Sequence, residues 1–185
     1  AQQPARLIVL HQLGNHGPAY FRRVPPAFKR FLPACEQDDL RQCDASAIVN
    51  AYDNALLYTD HVLAQLIARL QARQDTLDSA VLYVSDHGES LGEHGLFLHG
   101  VPFAFAPEVQ TRVPMFMWFS AGFTGARDLD AACLARRAER ERVSHDNLFH
   151  TLLGLFDVRT SAREAALDLT EGCAGAPPVT LARQP

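Results

Sequence analysis

Side chains that can bind metal ions are concentrated in residues 85–100, which read SDHGESLGEHGLFLHG. Asp86 and His87 are neighbours just after the apolar run AVLYV, so we expect them to lie where a buried strand ends. A carboxylate and an imidazole that converge at such a turn form half of a zinc site. His99 follows twelve positions after His87. Glu89 is either an acceptor for a ligand's second ring nitrogen or a carboxylate at the start of a helix.

A further imidazole stands in a second loop of the same kind. Residues 6–11, RLIVLH, are typical of a short buried strand, and His16 lies in the loop that follows. His16, His87 and His99 are each followed by glycine, and tight turns at these glycines can bring the three imidazoles into one cleft. The alternative is that each histidine is an ordinary surface or hydrogen-bonded side chain. For His94 an exposed turn is the preferred interpretation.

The overall composition is that of a soluble globular domain. Of the 185 residues, 48% are hydrophobic and 21% are charged, and the net charge is -4. This charge gives no sign of a nucleic-acid partner. The sequence has no run of about 18 apolar residues, which predicts that this chain does not itself span a membrane. Because it starts without Met and without a signal-peptide pattern, we expect a processed or excised piece.

The order of the expected elements predicts an α/β fold with a mainly parallel sheet flanked by helices. Strands are expected at residues 6–11, 80–84 and 112–119, and helices at 46–73 and 145–156. In such folds ligands bind at the carboxyl ends of the strands, where both histidine loops are expected. The longer helix is indicated by apolar residues at a helical period: Val49, Tyr52, Leu56, Leu63, Ile67 and Leu70.

The four cysteines indicate at least one local disulfide. Cys35 and Cys43 enclose a short polar segment, which suits a disulfide better than a zinc site, where two cysteines more often stand closer together. Such a bond would place the chain in an oxidising compartment. The alternative is a pair of unrelated buried thiols. The sequence leaves open whether Cys133 and Cys173 form a second pair.

Five stretches of the chain carry a resemblance to a known family. They read VLHQLGNHGPAYFRRVPPAFKRFLPAC, NAYDNALLYTDHVL, LYVSDHGESLGEHGLFLHGVPFAFAP, VPMFMWFS and SHDNLFHTLLGLFDV, and the match runs from about Leu7 to about Asp157. This pattern closely resembles the lipid A phosphoethanolamine transferases, which include the mobile colistin-resistance enzymes and belong to the alkaline phosphatase/sulfatase superfamily. The resemblance implies an alkaline phosphatase-like fold.

The resemblance also implies a reaction and its partners. In this family a threonine alkoxide on zinc attacks the phosphorus of phosphatidylethanolamine, and a phosphoethanolamine–threonine intermediate forms. The group then passes to a phosphate of lipid A. The expected cofactor is therefore Zn²⁺, and the two lipids are the expected substrates. The implied location is the periplasmic face of the bacterial inner membrane, to which an N-terminal membrane region tethers the enzyme.

Residue by residue, the resemblance assigns roles within the site. Asp86 and His87 match two ligands of the first zinc ion. His16 and His99 match the pair that holds the phosphoethanolamine group or a second zinc ion. The remaining matches are a histidine close to the site, His11, and a disulfide of the family, Cys35 and Cys43.

Several features of the family have no match in this sequence, and they indicate which part of a catalytic domain the chain represents. The nucleophilic threonine, a glutamate zinc ligand and the membrane region of the family all lie upstream of the matched segments. We therefore expect residues 1–175 to be the C-terminal portion of a catalytic domain, inactive alone, and residues 176–185 to be a mobile tail. Apolar sheet surface left by the missing portion is expected to be exposed or covered by a second copy.

Three hypotheses about function follow from the sequence. The first is that the chain is part of a phosphoethanolamine transferase. The second is a phosphodiesterase or sulfatase of the same superfamily, against which the aromatic segment NHGPAYFRR argues. The third is a non-catalytic, metal-binding or structural module. The presence of Asp86, His87, His16 and His99 together argues against this third hypothesis.

Overall fold

The computed structural model of the chain describes residues 5–174, and the expected tail at residues 176–185 lies outside them. Among the described residues, no helix is both long and apolar enough to span a membrane. The helices are α1 Ala45–Gln71, α2 Glu108–Thr111, α3 Ala121–Arg127, α4 Ala131–Arg140 and α5 Asp146–Leu155. The strands are β1 Ala80–Val84, β2 Ser90–Leu91, β3 Phe97–Leu98 and β4 Met115–Phe119.

The described residues divide into two compact units. One unit is formed by Ile8–Ala72 and Val81–Trp118, and it contains α1, the β2–β3 hairpin, α2 and both histidine loops. The other contains Arg73–Ala80 together with residues 5–7 and 119–174, and its helices are α3, α4 and α5. Every residue of the candidate site described below therefore belongs to the first unit.

Helix α1 is confirmed at nearly the expected bounds, and the expected core face is confirmed only in part, with Leu63 buried and Tyr52 packed against the core. Ile48, Ala51 and Ala55 are buried, whereas Val49 and Leu56, which the periodicity places on the core face, are exposed. The buried face forms one cluster with apolar side chains from the loop that precedes the helix. Small alanine side chains on this face let the loop lie close to the helix backbone, and that close approach decides which face is buried.

The loop before α1 is held by a buried side chain and by a disulfide. Asn54 of α1 accepts hydrogen bonds from the backbone N–H groups of Arg30 and Phe31 at 2.7 and 2.9 Å. It also donates to the carbonyl oxygen of Phe31 at 2.9 Å. The predicted disulfide between Cys35 and Cys43 is present and closes the part of the loop nearest the helix. A loop whose only regular structure is short 3-10 helices thus has several of its backbone polar groups satisfied by the helix.

The strand pairs within residues 5–174 are antiparallel, although the fold class predicts a mainly parallel sheet. β1 pairs with β4, and Ser120 N donates to Ser79 O at one end while Ser85 N donates to Pro114 O at the other. The start of β1 therefore lies beside the end of β4. The connection between the two strands starts and finishes at the same end of the pair. A parallel pair would need a crossover that returns to the opposite end. β2 and β3 form an antiparallel hairpin.

The strand expected at residues 6–11 is wrong for this chain. The segment has no regular secondary structure, and Ile8 and Val9 are 74% and 80% exposed. A strand requires a neighbour that accepts and donates its ladder hydrogen bonds. No strand among residues 5–174 provides one for this segment. Its apolar composition is typical of a buried strand, but composition alone does not form one without such a neighbour.

The second unit is held by a buried ion pair and a second disulfide. Asp168 is almost fully buried, lies 2.7 Å from the guanidinium of Arg163 and accepts hydrogen bonds from the backbone N–H and the hydroxyl of Thr170. Cys133 at the start of α4 is bonded to Cys173, which answers the question that the sequence leaves open. These contacts fix the segment after α5.

We predict that Asn54→Ala lowers the free energy of unfolding by about 2 kcal/mol, because two partly buried backbone N–H groups lose their acceptor. The matched control is Asn50→Ala on the same helix, where only one exposed bond to Pro33 O is lost and less than about 1 kcal/mol is expected. Urea unfolding followed by circular dichroism measures both values. Equal losses in the two variants would contradict the role given to Asn54.

Candidate metal centre

Three histidines from the two predicted loops lie side by side and are named here the histidine cluster. One ring nitrogen from each of His16, His87 and His99 lies within 4.8 Å of the other two. The rings of His87 and His99 stack at a centroid distance of 3.8 Å. The ring of His16 stands edge-on to both, 4.8 Å from His99 and 5.7 Å from His87. Residues far apart in sequence thus present imidazoles to one point.

The turn that carries His87 is shaped by close contact with the backbone around α2. Gly88 N donates to Gln110 O at 2.9 Å, and Gln110 Nε2 donates to the buried hydroxyl of Ser90 at 2.8 Å. A Cβ added at position 88 would lie 2.0 Å from Val109 O, which no side chain can accommodate without movement of the backbone. Glycine at this position therefore allows the approach that fixes the backbone beside His87.

The register of the hairpin places His99 opposite Glu89. β2 and β3 pair antiparallel with Ser90 opposite Leu98, so one step outward along the ladder brings Glu89 opposite His99. Glu89 Oε1 lies 3.5 Å from His99 Nδ1. A slip of one residue in this register would send the side chain of His99 to the other face of the hairpin.

The loop that carries His16 is anchored to α1. Thr59 of the helix donates its hydroxyl hydrogen to Asn15 Oδ1 at 2.7 Å, and His16 N donates to Leu13 O at 3.0 Å. The guanidinium of Arg23 donates to the carbonyl oxygen of His16. Backbone and side-chain contacts on both sides of His16 therefore set the position of its ring.

Glu89 is a carboxylate buried at the base of the cluster. Its side chain is only 4% exposed, and its Oε1 accepts a hydrogen bond from Gly17 N at 2.8 Å. Its Oε2 accepts a hydrogen bond from the hydroxyl of Tyr20, which is itself buried. Burial raises the pKa of the Tyr20 phenol, and the bond to Glu89 raises it further, so the phenol keeps the proton that it donates. His16 Nδ1 lies 4.0 Å from the same carboxylate.

The surroundings of the three rings leave one nitrogen of each available as a ligand. Nδ1 of His16 and of His87 lies 2.7 and 3.0 Å from the carbonyl oxygen of the glycine that follows each histidine. Nδ1 of His99 faces the carboxylate of Glu89. An Nδ1–H that donates to such an oxygen leaves the lone pair on Nε2, which is the usual arrangement of a metal-binding histidine.

The cluster has dimensions that fit a zinc ion. Zn–N bonds are about 2.1 Å long, so two ligands of one ion lie at most about 4.2 Å apart. Because the ligand atoms of the cluster already lie within 4.8 Å of one another, each pair has to close by no more than about 0.6 Å. Imidazole nitrogens are ligands that zinc prefers, and a buried carboxylate behind them compensates positive charge.

The structure places the other candidate residues outside the cluster. The side chain of Asp86 is 80% exposed, and its Oδ1 accepts a hydrogen bond from His87 N and lies 3.9 Å from His87 Nε2. Asp86 therefore stands beside His87 on the solvent side. His11 is exposed in the irregular stretch before the His16 loop, and His94 is exposed in a turn, as the sequence indicates.

Two residues of the site have no counterpart in the sequence-based candidates. Tyr20 stands in an aromatic segment that indicates only a packed loop, and nothing in the sequence connects it to Glu89. Asn15 precedes His16, but the spacing does not show that it bonds to Thr59. For Glu89 the structure decides between the two interpretations, because it faces ligand nitrogens directly before β2 and does not start a helix.

The chain is similar to known proteins along most of its length. A family model described as Sulfatase matches residues 1–158. Phosphoethanolamine transferase EptA of Salmonella typhimurium is 44% identical over 167 residues, which are 90% of this chain and 30% of that protein. Phosphatidylethanolamine transferase Mcr-1 of Escherichia coli is 49% identical over 152 residues, which are 82% of this chain and 26% of that protein. The chain thus spans less than a third of the length of these curated relatives.

Solved structures similar to this chain are also those of phosphoethanolamine transferases. The soluble domain of lipooligosaccharide phosphoethanolamine transferase A from Neisseria meningitidis is 42% identical, with a TM-score of 0.87, over 90% of this chain and 50% of that domain. The integral membrane protein of the same name is also 42% identical, with a TM-score of 0.86, over 89% of this chain and 31% of that protein. Both similarities support an α/β, alkaline phosphatase-like fold for this chain.

We predict that Gly88→Ala destabilises the chain by about 2 kcal/mol, because the added methyl group overlaps Val109 O and pushes the His87 turn away from α2. The matched control is Gly125→Ala in α3, where no atom lies within 4 Å of the new methyl group and a gain of about 0.5 kcal/mol is expected. Urea unfolding measures both. If both substitutions have the same sign and size, the close approach at Gly88 is not a constraint.

Proposed function

This chain belongs to the sulfatase family, and on that basis we propose that it forms part of the active site of a zinc-dependent phosphoethanolamine transferase. The proposed donor is phosphatidylethanolamine and the proposed acceptor is lipid A. One observation carries the proposal: His16, His87 and His99 converge beside the buried Glu89, in a chain that is 44% and 49% identical to named transferases of this chemistry.

Asp86 and His87 are the residues proposed to hold the first zinc ion. Their nearest ligand atoms, Asp86 Oδ1 and His87 Nε2, lie 3.9 Å apart, within the span of about 4.2 Å that two ligands of one ion can have. Zinc bound there would lower the pKa of a coordinated hydroxyl and neutralise charge on phosphoryl oxygens.

His16 and His99 are proposed to hold the phosphoethanolamine group or a second zinc ion. Their Nε2 atoms can serve either purpose, because a protonated Nε2 donates to a phosphoryl oxygen and an unprotonated one binds metal. His11 is proposed only as a neighbour of the site. Glu89 supports the pair in two ways: its Oε1 faces Nδ1 of His99, and it binds the N–H of Gly17, whose carbonyl oxygen is the partner of Nδ1 of His16.

The proposed reaction requires a nucleophile and a further zinc ligand for which this chain has no matching residue. We propose that the nucleophilic threonine and a glutamate zinc ligand come from an upstream portion of a longer protein, and that this chain alone does not transfer phosphoethanolamine. The proposed location is the periplasmic face of the inner membrane, where both lipid substrates are accessible. The exposed apolar residues Ile8 and Val9 are proposed to be covered by that upstream portion or by a second copy.

We predict that the purified chain binds zinc and that the Asp86→Ala/His87→Ala double variant does not, because the variant removes both proposed ligands of the first ion. Metal content after dialysis, measured by mass spectrometry of metals, is the test. The matched control is Asp60→Ala/His61→Ala, which removes another adjacent Asp–His pair that is exposed on α1. Equal zinc in all three chains, or none in the unchanged chain, would count against a site preformed here.

The transferase function is tested by exchange into a relative. The chain replaces the matching 167 residues of the Salmonella typhimurium EptA, and lipid A from cells that carry the chimera is examined by mass spectrometry. We expect phosphoethanolamine on lipid A, and loss of it when Asp86→Ala/His87→Ala is introduced. A chimera that is present in the membrane at normal amount but leaves lipid A unmodified would contradict the proposal.

Hydrolysis of a sulfate ester or a phosphodiester is the second candidate function. The description of the family model, Sulfatase, supports it. Purified chimera incubated with p-nitrophenyl sulfate and with bis-p-nitrophenyl phosphate separates the two functions. Turnover of either compound together with unmodified lipid A would favour the hydrolase.

A further inference from the structure

We propose that Tyr20 is a positioning residue of the candidate metal centre, acting through Glu89 on the imidazoles of His16 and His99. The inference rests on the proposed function, since it concerns the same site. In the described structure Tyr20 makes no hydrogen bond or ring contact with the histidine cluster itself. Its hydroxyl donates to Oε2 of Glu89, and Oε1 of the same carboxylate faces the His99 imidazole and accepts from the N–H of Gly17, which follows His16.

The first step of the argument is the burial of the carboxylate. A carboxylate with a side chain that is 4% exposed is stable only if protein donors replace the water that it loses. Gly17 N–H supplies one donor to Oε1, and Tyr20 O–H supplies the donor to Oε2. With one oxygen fixed from each side, the plane of the carboxylate is set by these two donors.

The second step is the orientation that results. Oε1 lies 3.5 Å from Nδ1 of His99 and is the acceptor that faces this ring. Nδ1 of His16 lies 4.0 Å from Oε1 and has Gly17 O as its partner at 2.7 Å, so Glu89 reaches His16 through Gly17, whose N–H it binds. A partial rotation of the carboxylate about its last bond would turn both oxygens out of their present plane and move the acceptor away from His99. The bond from Tyr20 to Oε2 opposes that rotation. Partners of this kind orient metal-binding imidazoles and keep the lone pair on Nε2.

The third step is that the packing leaves Tyr20 little freedom to move. Tyr20 is 1% exposed, and its ring meets that of Tyr52 edge-on at a centroid distance of 5.6 Å. A Cβ added at Gly17 would lie 2.7 Å from the Tyr20 hydroxyl oxygen and 2.4 Å from Leu98 Cδ2. Glycine at position 17 therefore lets the phenol reach the carboxylate and lets its own N–H point at the same group.

The test uses Tyr20→Phe, which keeps the ring and removes only the hydroxyl, in the full 185-residue chain. Zinc affinity is measured by competition with a chromogenic chelator, and the absorption spectrum of the Co²⁺-loaded chain reports the geometry of the ligands. We expect affinity to fall about 10-fold, the lower end of the effect of removing such supporting partners. The matched control is Tyr52→Phe, because the hydroxyl of this neighbouring tyrosine makes no hydrogen bond to Glu89 in the described structure. Its affinity should stay within about 2-fold of the unchanged chain.

A double-mutant cycle separates positioning from a general loss of stability. If Tyr20 acts through the carboxylate, Tyr20→Phe added to Glu89→Gln should lower affinity by no more than about 2-fold beyond Glu89→Gln alone. An unchanged affinity in the single Tyr20→Phe variant would overturn the proposal. Losses that simply multiply in the double variant would overturn it too, because Tyr20 would then act independently of Glu89.

A second measurement decides the inference even if the chain binds no zinc and the proposed function fails. Nitrogen-15 resonances of the imidazole rings in the metal-free chain report the tautomer and surroundings of each histidine. We expect the His16 and His99 rings to change in Tyr20→Phe and in Glu89→Gln, and to stay unchanged in Tyr52→Phe. Rings that keep their resonances in Tyr20→Phe would show that Tyr20 is a packing residue only.

Discussion

The need to satisfy the buried carboxylate of Glu89 is the constraint on which the site depends. A charge in this position has to be surrounded by donors, and the fold supplies them from segments far apart in sequence: the loop after residue 11 and the turn after β3. The same contacts that stabilise the carboxylate bring His16 and His99 together. Stability of the interior and geometry of the site are therefore two consequences of one interaction.

The backbone has to approach itself closely for this arrangement to exist. Gly88 comes so near to Val109 that any side chain would collide with a carbonyl oxygen, and Gly17 lies against Tyr20 and Leu98 in a similar way. Packing thus requires glycine after His16 and after His87, whereas a Cβ added at Gly100, after His99, would meet no atom within 4 Å, and Gly100 adopts a positive φ of 103°. A short hairpin completes the site, because its register fixes which residue faces Glu89.

Helix α1 links this site to the remainder of its unit. Its inner face carries Ala51 and Ala55, against which the preceding loop packs, and its Thr59 holds the loop of His16 through Asn15. The segment between the His16 loop and α1 is long and has little regular structure, yet it is fixed by Asn54 and by the Cys35–Cys43 disulfide. A chain with so many irregular segments can still present a defined site, because side chains of one long helix satisfy their backbone groups.

Local patterns in the sequence were sufficient for several elements and for part of the site. Periodicity and apolar runs indicate α1 and β1, and the His–Gly steps indicate that three imidazoles meet, because propensity and turn chemistry are properties of neighbouring residues. The resemblance to a family adds the chemistry proposed for them. Neither the local patterns nor the resemblance indicates the whole buried face of α1, because the burial of each residue depends on how closely the preceding loop approaches the helix.

What the sequence by itself determined is the set of residue types and the turns on which they stand, since both follow from short-range steric and hydrogen-bonding preferences. Only the tertiary structure decided that residues 6–11 form no strand here and that β1 and β4 run antiparallel, because strand pairing depends on segments remote in sequence. It also decided that Tyr20 meets Glu89, a pair separated by 69 positions. Contacts of that range are fixed by packing of the whole unit, and no local pattern encodes them.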